Sequence, residues 1–405
     1  MRLSGESRPL IEATLPAVGE RIGEIARRFY RHLFSLHPEL LDGTFNRGNQ
    51  AQGLQQQALA GSVAAFAAAL VKAPDQPPEV LLARVAHKHA SLGIRPDQYP
   101  VVGESLLWAI ADVLGDAVTP DIAAAWEEVY WLMADSLIHL ERGLYSARSV
   151  GPDTVWRQWE VARKIPETSD VVTFVVKRMD DRLVKPSLPG QYITVQMPMP
   201  DGTRQPRQYS LSRADNGQYR QFTVKRVHGG GNPDGEVSTL LNDTVNVGDV
   251  LSLSVPSGAV VLDDYSGRPM VFASAGIGIT PIAGMLSHLA QAGSRLPVTL
   301  LHADLNEGSF ALRGQVLDDI ATLPNASVYL WYEQGAVSRL PAQGVFPGQM
   351  DISQVSLPGN ALYFLCGPIP FMHAVHTALT AKHGVPAGDI QYEVFGPDLW
   401  HADYG

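Results

Sequence analysis

Apolar positions recur every three to four residues through the first third of the chain. In GERIGEIARRFYRHLFSLHPEL they fall at Ile22, Ile25, Ala26, Phe29 and Leu33. In DIAAAWEEVYWLMADSLIHLERGLY they fall at Trp126, Val129, Met133, Leu137 and Leu140. That is the period of a helix burying one face. The breakers HPEL, DQPPEV and IRPDQYP separate successive helices, so residues 1–147 read as an all-α domain. SARSVGPDT ends this texture with Gly, Pro and Ser. From WRQWEVARKIPETSDVVTFVVKR to GDVLSLSVPSG the pattern turns to short β-branched runs cut by Gly and Pro, which predicts a small antiparallel barrel or sandwich over 153–264. From residue 268 strand, Gly-rich turn and helix alternate in PMVFASAGIGITPIAGMLSHLAQAG, PVTLLHADL and ALYFLCGPIPFMHAVHTALTAKHG. This order predicts a doubly wound α/β domain with a parallel sheet over 268–405.

A chain of 405 residues exceeds one ordinary core, in keeping with three regimes. The formal charge of −10 argues against nucleic acid as a partner, and no basic stripe offsets it. One cysteine, Cys366, excludes an internal disulfide, a four-thiolate iron–sulfur cluster and a Cys-rich zinc site. It fits a reducing cytoplasm. The opening MRLSGESRPLIEATLP has no secretory h-region, and SVAAFAAALV is too short to span a bilayer. A cytoplasmic protein without a membrane segment is expected.

Two histidines stand two apart in RVAHKHASLGIRPDQY, which on a helix turns them roughly 200° from each other. Leu82, Val85, His89 and Leu92 form an apolar stripe, so His89 faces inward, as a ligand or as a satisfied core histidine. His87 shares its side with Arg84 and Ser91 and reads as solvated.

The later chain carries stronger signals. RQYSLS, with PGQYITV before it, offers Arg207 as a bidentate cation for a pyrophosphate, Tyr209 as a flat ring for an isoalloxazine and Ser210 as a hydroxyl. GEVSTLLND then opens a short helix whose amides suit a second phosphate. AGIGITP lies between an apolar strand and an amphipathic helix, where glycines allow a dinucleotide to approach. Asp304, ending the strand LLHADL, would accept bonds from an unphosphorylated ribose and so favours NADH.

With LCGP and YEVFGP, these motifs resemble the ferredoxin reductase-like flavoproteins over residues 155–400. The resemblance implies FAD on Tyr192, Arg207, Gln208, Tyr209, Ser210, Val237, Ser238, Thr239, Val394, Phe395, Gly396 and Pro397. It implies NAD(P)H on Gly276, Ile277, Gly278, Ile279, Thr280, Pro281, Cys366, Gly367 and Pro368. The loop VHGGGNPDG is longer than usual in that family.

FYRHLF, LDGTFNRGNQ, LQQQALA, AHKH and RPDQYPVVGESLL precede this module in the order found in flavohaemoglobins. The chain resembles that family over almost its whole length. The resemblance implies haem b bound through His89, with Phe45 against the haem plane and Tyr30, Gln55 and Leu59 on the distal side. Tyr99 and Glu141 would flank the proximal histidine, and Lys88 with Glu393 would bridge the haem and flavin domains. The implied activity is a nitric oxide dioxygenase. NAD(P)H reduces FAD, FAD reduces haem iron one electron at a time, and NO is converted to nitrate by O2 at the haem. The resemblance also implies a monomer. An O2 or NO carrier or sensor, or a general flavin-dependent reductase, are the alternatives.

Overall fold

The computed structural model describes residues 2–48, 53–72, 79–181, 184–229, 234–262, 267–335 and 342–396. Pro397 and the middle of the loop at 228–235 lie outside the described residues. Two compact units emerge. One comprises Met1–Arg157 with Gln196–Arg207 and Gly396–Gly405, the other Gln158–Val195 with Gln208–Phe395.

The first unit is helical: α1 (Ser7–Leu36), α2 (Leu54–Lys72), α3 (Glu79–Leu92), α4 (Tyr99–Leu114) and α5 (Pro120–Arg148). Two of these starts have a local cause. Thr119 accepts the Ile122 N–H and Pro120 follows at the first helical position, so α5 begins there. Pro96 initiates a single 3-10 turn that hands over directly to α4. The apolar period seen in the sequence is the buried face: Ile25, Ala26, Phe29 and Leu33 of α1 meet Trp126, Val129, Met133 and Leu137 of α5 in one core, which Phe66 of α2 completes. A fully buried Phe of this kind stabilises by roughly 1.5–3 kcal/mol. α4 comes close to α5 because Gly103 has no side chain; a Cβ there would stand 2.5 Å from the Tyr130 ring.

The second unit holds two six-stranded sheets. The first is antiparallel, in the order β4-β3-β6-β1-β2-β5, from β1 (Arg157–Pro166), β2 (Val171–Arg178), β3 (Tyr192–Pro198), β4 (Arg204–Ser210), β5 (Tyr219–Lys225) and β6 (Val250–Leu253). The far ends of β3 and β4 belong to the helical unit. The helix α6 (Glu236–Asp243) follows β5.

The second sheet is parallel and ordered β10-β9-β8-β7-β11-β12. Its strands are β7 (Met270–Ala275), β8 (Val298–Asp304), β9 (Ala326–Tyr332), β10 (Gly344–Pro347), β11 (Leu362–Cys366) and β12 (Ile390–Glu393), with the helices α7 (Ile279–Gln291), α8 (Arg313–Ala321) and α9 (Ile369–Thr377). The chain runs outward from β7 to β10 and restarts on the other side with β11. The switch point therefore lies between the carboxyl ends of β7 and β11, the place where such sheets bind ligands.

Gly103→Ala is expected to lower stability by about 1–3 kcal/mol, because the Tyr130 ring must move out of a packed core. Urea unfolding of the full chain measures it, and an unchanged midpoint would show that α4 and α5 yield at no cost.

Candidate active site

In the helical unit the inward histidine does not stand alone. His89 Nδ1 is 2.7 Å from Glu141 Oε1 and 3.1 Å from the Tyr99 hydroxyl, which itself donates to the same Glu141 oxygen at 2.6 Å. Glu141 is 2 % exposed. One buried oxygen thus receives an N–H from α3 and an O–H from α4. Tyr130 Oη anchors the Tyr99 carbonyl at 2.5 Å, and Tyr145 Oη holds the Ile94 carbonyl at 2.8 Å. Burial and the Glu141 charge drive the Tyr99 pKa far up, so its hydroxyl stays a donor. With Nδ1–H given to Glu141, the lone pair of His89 resides on Nε2. The ring keeps 29 % of its surface exposed. Among the described residues no group of three His, Cys, Asp or Glu could hold a metal ion. The site fits a cofactor that would bring most of its own metal ligands and take one nitrogen from the protein, at His89 Nε2.

A second cluster gathers around Tyr30, which is 6 % exposed. Its ring lies edge-on to Phe45 at 6.0 Å and stacked on Phe34 at 5.6 Å. Burial raises its pKa, and the Gln55 side chain is within hydrogen-bonding reach of its oxygen. Leu59 and Phe45 are half-buried against the helical core. Lys88, next to His89, is held below its usual pKa by burial and by the charge of Arg207.

His87 departs from the sequence reading. It is half-buried, and burial together with the charge of Arg148 lowers its pKa to about 4. Ser91, on the same side, is fully buried. Helical period marks one apolar face, but α3 is covered on the other face as well.

In the second unit Tyr209 stacks on Phe222 at 5.7 Å, Ser210 is buried, and Gln208 Nε2 reaches Thr194 Oγ1 at 3.4 Å. Tyr192 exchanges two backbone bonds with Ser257. Arg207, which belongs to the first unit, donates to the Pro206 carbonyl at 2.7 Å. α6 opens at Gly235 without a side-chain cap. Val237 is fully buried beneath it, Thr239 is half-buried, and Ser238 Oγ takes the Val227 N–H and donates to the Gly235 carbonyl. At the other end of α6, Lys164 Nζ donates to the Asn242 and Val245 carbonyls at 2.7 Å each. A cation there opposes the helix dipole's negative end and leaves the positive end for an anion. Sequence reading does not single out Lys164, which looks like any strand lysine.

AGIGITP and LCGP meet at the switch point. A Cβ on Gly278 would stand 2.2 Å from the Cys366 carbonyl oxygen, and one on Gly367 would be 2.8 Å from the Phe371 ring and 3.2 Å from Ala275. Gly276 has φ +52°, and Ile279, Thr280 and Pro281 start α7 as buried residues. Ile277 is half-buried and Pro368 caps α9. Cys366 and Glu393 are direct neighbours across β11 and β12. The chain then passes half-buried Val394 and exposed Phe395 to Gly396 at φ +109°.

Asp304 is not the open acceptor expected from sequence. Its side chain is 8 % exposed, Oδ1 accepts the Leu305 N–H at 2.7 Å, and Oδ2 lies 3.5 Å from His302 Nε2. His302, itself bonded to Ser274 at 2.9 Å, is fully buried beside that carboxylate.

The fold defines the class: an all-α domain with an inward histidine, joined to a flavin- and nicotinamide-type reductase. The Globin family matches residues 27–137 and the oxidoreductase FAD-binding domain family matches residues 158–262. The flavohemoprotein of Rhizobium meliloti is 38% identical over 98% of this chain and 99% of its own length. That of Bordetella pertussis is 41% identical over 97% and 98%. A solved flavohemoglobin from Malassezia yamatoensis, described with bound FAD and heme, superposes with a TM-score of 0.88 at 38% identity, covering 98% of this chain and all of that one. The FAD/NAD-binding domain of a nitric oxide dioxygenase from Vibrio cholerae matches 60% of this chain at 34% identity and a TM-score of 0.55. The chain belongs to the flavohemoprotein family.

Two outcomes are expected from this geometry. Glu141→Leu leaves His89 Nδ1 and the Tyr99 hydroxyl without their shared acceptor and costs about 1–3 kcal/mol in denaturant unfolding, against a smaller loss for Tyr99→Phe. An equal loss for the two would show that Glu141 contributes only its contact with Tyr99. Burial also raises the Cys366 pKa. Stability from the protonated thiol is therefore whole below the unfolded thiol pKa of about 8.5 and is lost as pH rises beyond it. Cys366→Ala should flatten the alkaline limb of stability against pH, and native protein at pH 8 should resist iodoacetamide.

Proposed function

We propose that the chain is an NAD(P)H-dependent nitric oxide dioxygenase, with a haem domain over 1–147, an FAD domain over 153–264 and an NAD(P)H domain over 268–405. The observation that carries the reading is the buried Glu141–His89–Tyr99 relay in a globin fold that continues into a flavin-reductase fold. When bound, FAD would supply the conversion of a hydride from NAD(P)H into single electrons, and haem b would supply iron chemistry for O2 and NO. Two NO, two O2 and one NADH then yield two nitrate, one NAD+ and one proton.

The chain's own residues divide the work. His89 would hold the iron through Nε2, while Glu141 and Tyr99 fix the ring's orientation and its tautomer. Phe45 and Leu59 would wall the haem. Tyr30 offers its hydroxyl hydrogen to the dioxygen substrate, and Gln55 holds that hydroxyl in place. Arg207, Gln208, Tyr209, Ser210, Tyr192 and the Val237–Thr239 start of α6 would hold FAD, with Val394, Phe395, Gly396 and Pro397 beside it. The two turns 276–281 and 366–368 would seat the nicotinamide coenzyme. Lys88 and Glu393 would tune transfer between the redox groups. The reading extends to a cytoplasmic monomer acting on O2 and NO and not on nucleic acid, supported by the acidic balance and single cysteine. No helix among the described residues is long and apolar enough to cross a membrane.

An NO electrode tests this on protein loaded with haem and FAD in aerated buffer. Repeated NO loss that needs NADH and O2 is expected. Tyr30→Phe should slow it by about tenfold to a hundredfold, the rate equivalent of one hydrogen bond to a charged group. A single burst that NADH does not sustain would point instead to a carrier or sensor.

A further inference from the structure

We propose that residues Asp42–Arg47 and the hairpin Gln196–Arg207 form a positioning clamp for the passage of electrons from flavin to haem. The inference rests on the functional reading above. Both segments belong to the helical unit.

The Arg204 guanidinium grips both oxygens of Asp42, through Nη2 at 2.6 Å and Nε at 3.1 and 3.2 Å. The backbones are joined too: Arg204 N–H donates to Asp42 Oδ1 at 2.8 Å and Gly43 N–H to the Arg204 carbonyl at 2.9 Å. Gly43 sits at φ +74°, the left-handed region that favours glycine, with the flexible end of the Gln196 side chain packed against it. A second tie lies four residues on. Arg47 pairs with Asp201, whose other oxygen is fixed by the N–H and hydroxyl of Thr203. The Arg47 N–H donates to Gln205 Oε1 at 3.2 Å. Gln205 is fully buried, and the same oxygen lies 3.5 Å from Arg207 Nη1.

These ties enclose Phe45 on one side and engage a single strand on the other. On β4, Gln205, Arg207 and Tyr209 share a face, so the residue held by Arg47 stands in line with the two assigned to FAD. A surface ion pair alone contributes little and is screened by salt. Here two ion pairs, one backbone–backbone bond, a backbone N–H on a carboxylate and a buried amide join the segment to one hairpin, which is more than fastening a loop requires. Electron passage depends on a fixed geometry between donor and acceptor, and the clamp fixes the strand that carries one to the segment that walls the other.

The test uses the full chain loaded with haem and FAD, mixed anaerobically with NADH under carbon monoxide. Flavin bleaching reports hydride transfer and the ferrous–CO band reports haem reduction. In Asp42→Asn/Arg47→Met, flavin bleaching should keep its rate while haem reduction slows about tenfold, the scale of a small misplacement of reacting groups. Salt should slow haem reduction in the unsubstituted chain and leave the variant unmoved. Asp42→Glu, which keeps the charge, should retain most of the rate. As a readout apart from activity, Gly43 and Arg204 amides should exchange faster in the variant with or without cofactors. Equal haem reduction in variant and parent, or a parallel fall in flavin bleaching, would overturn the clamp. A parent that bleaches its flavin but never reduces its haem would overturn the functional reading, and the clamp with it.

Discussion

A single buried carboxylate oxygen organises the helical unit. Glu141 on α5 receives the hydroxyl of Tyr99 from the start of α4 and the ring N–H of His89 from the end of α3. Burying a charged group is costly unless donors meet it, so three helices must converge on this point for the fold to tolerate Glu141 at all. The same requirement sets the tautomer: a histidine whose Nδ1 is committed has its lone pair on Nε2, the atom proposed to hold the haem iron. Structural necessity and ligand geometry are here one constraint.

The reductase-like unit depends on a different constraint, the approach of backbone to backbone. Gly278 and the Cys366–Gly367 peptide touch at distances that no side chain allows. Their meeting brings the carboxyl ends of β7 and β11 together at the switch point of the parallel sheet. In the antiparallel sheet the corresponding device is α6, fastened at its C-terminal end by Lys164.

Much of the architecture was legible in the amino-acid order. Helical period over 1–147 marked the residues that form the core, because amphipathic helices must bury the stripe they carry. Alternating strands and glycine turns marked the parallel sheet, and the glycine motifs marked the turns that now touch. The inward-facing histidine followed from its place on the Leu82, Val85, Leu92 stripe. Likeness to a family added the partners Tyr99 and Glu141, which lie 10 and 52 residues away along the chain.

What sequence could not decide was anything set by a neighbour distant in the chain. Period assigned His87 to solvent, but it is half-buried, and only tertiary packing says how many sides of a helix are covered. A strand-end acid predicted an open acceptor at Asp304, but its side chain is largely buried and accepts the Leu305 amide. Asp42, Arg47 and Arg204 read as ordinary loop charges until folding set them face to face across more than 150 residues. Local order determines which elements form and which way each faces, because propensity and period act within a few residues. Which polar groups become buried, and whose hydrogen bonds satisfy them, is decided only when those elements pack.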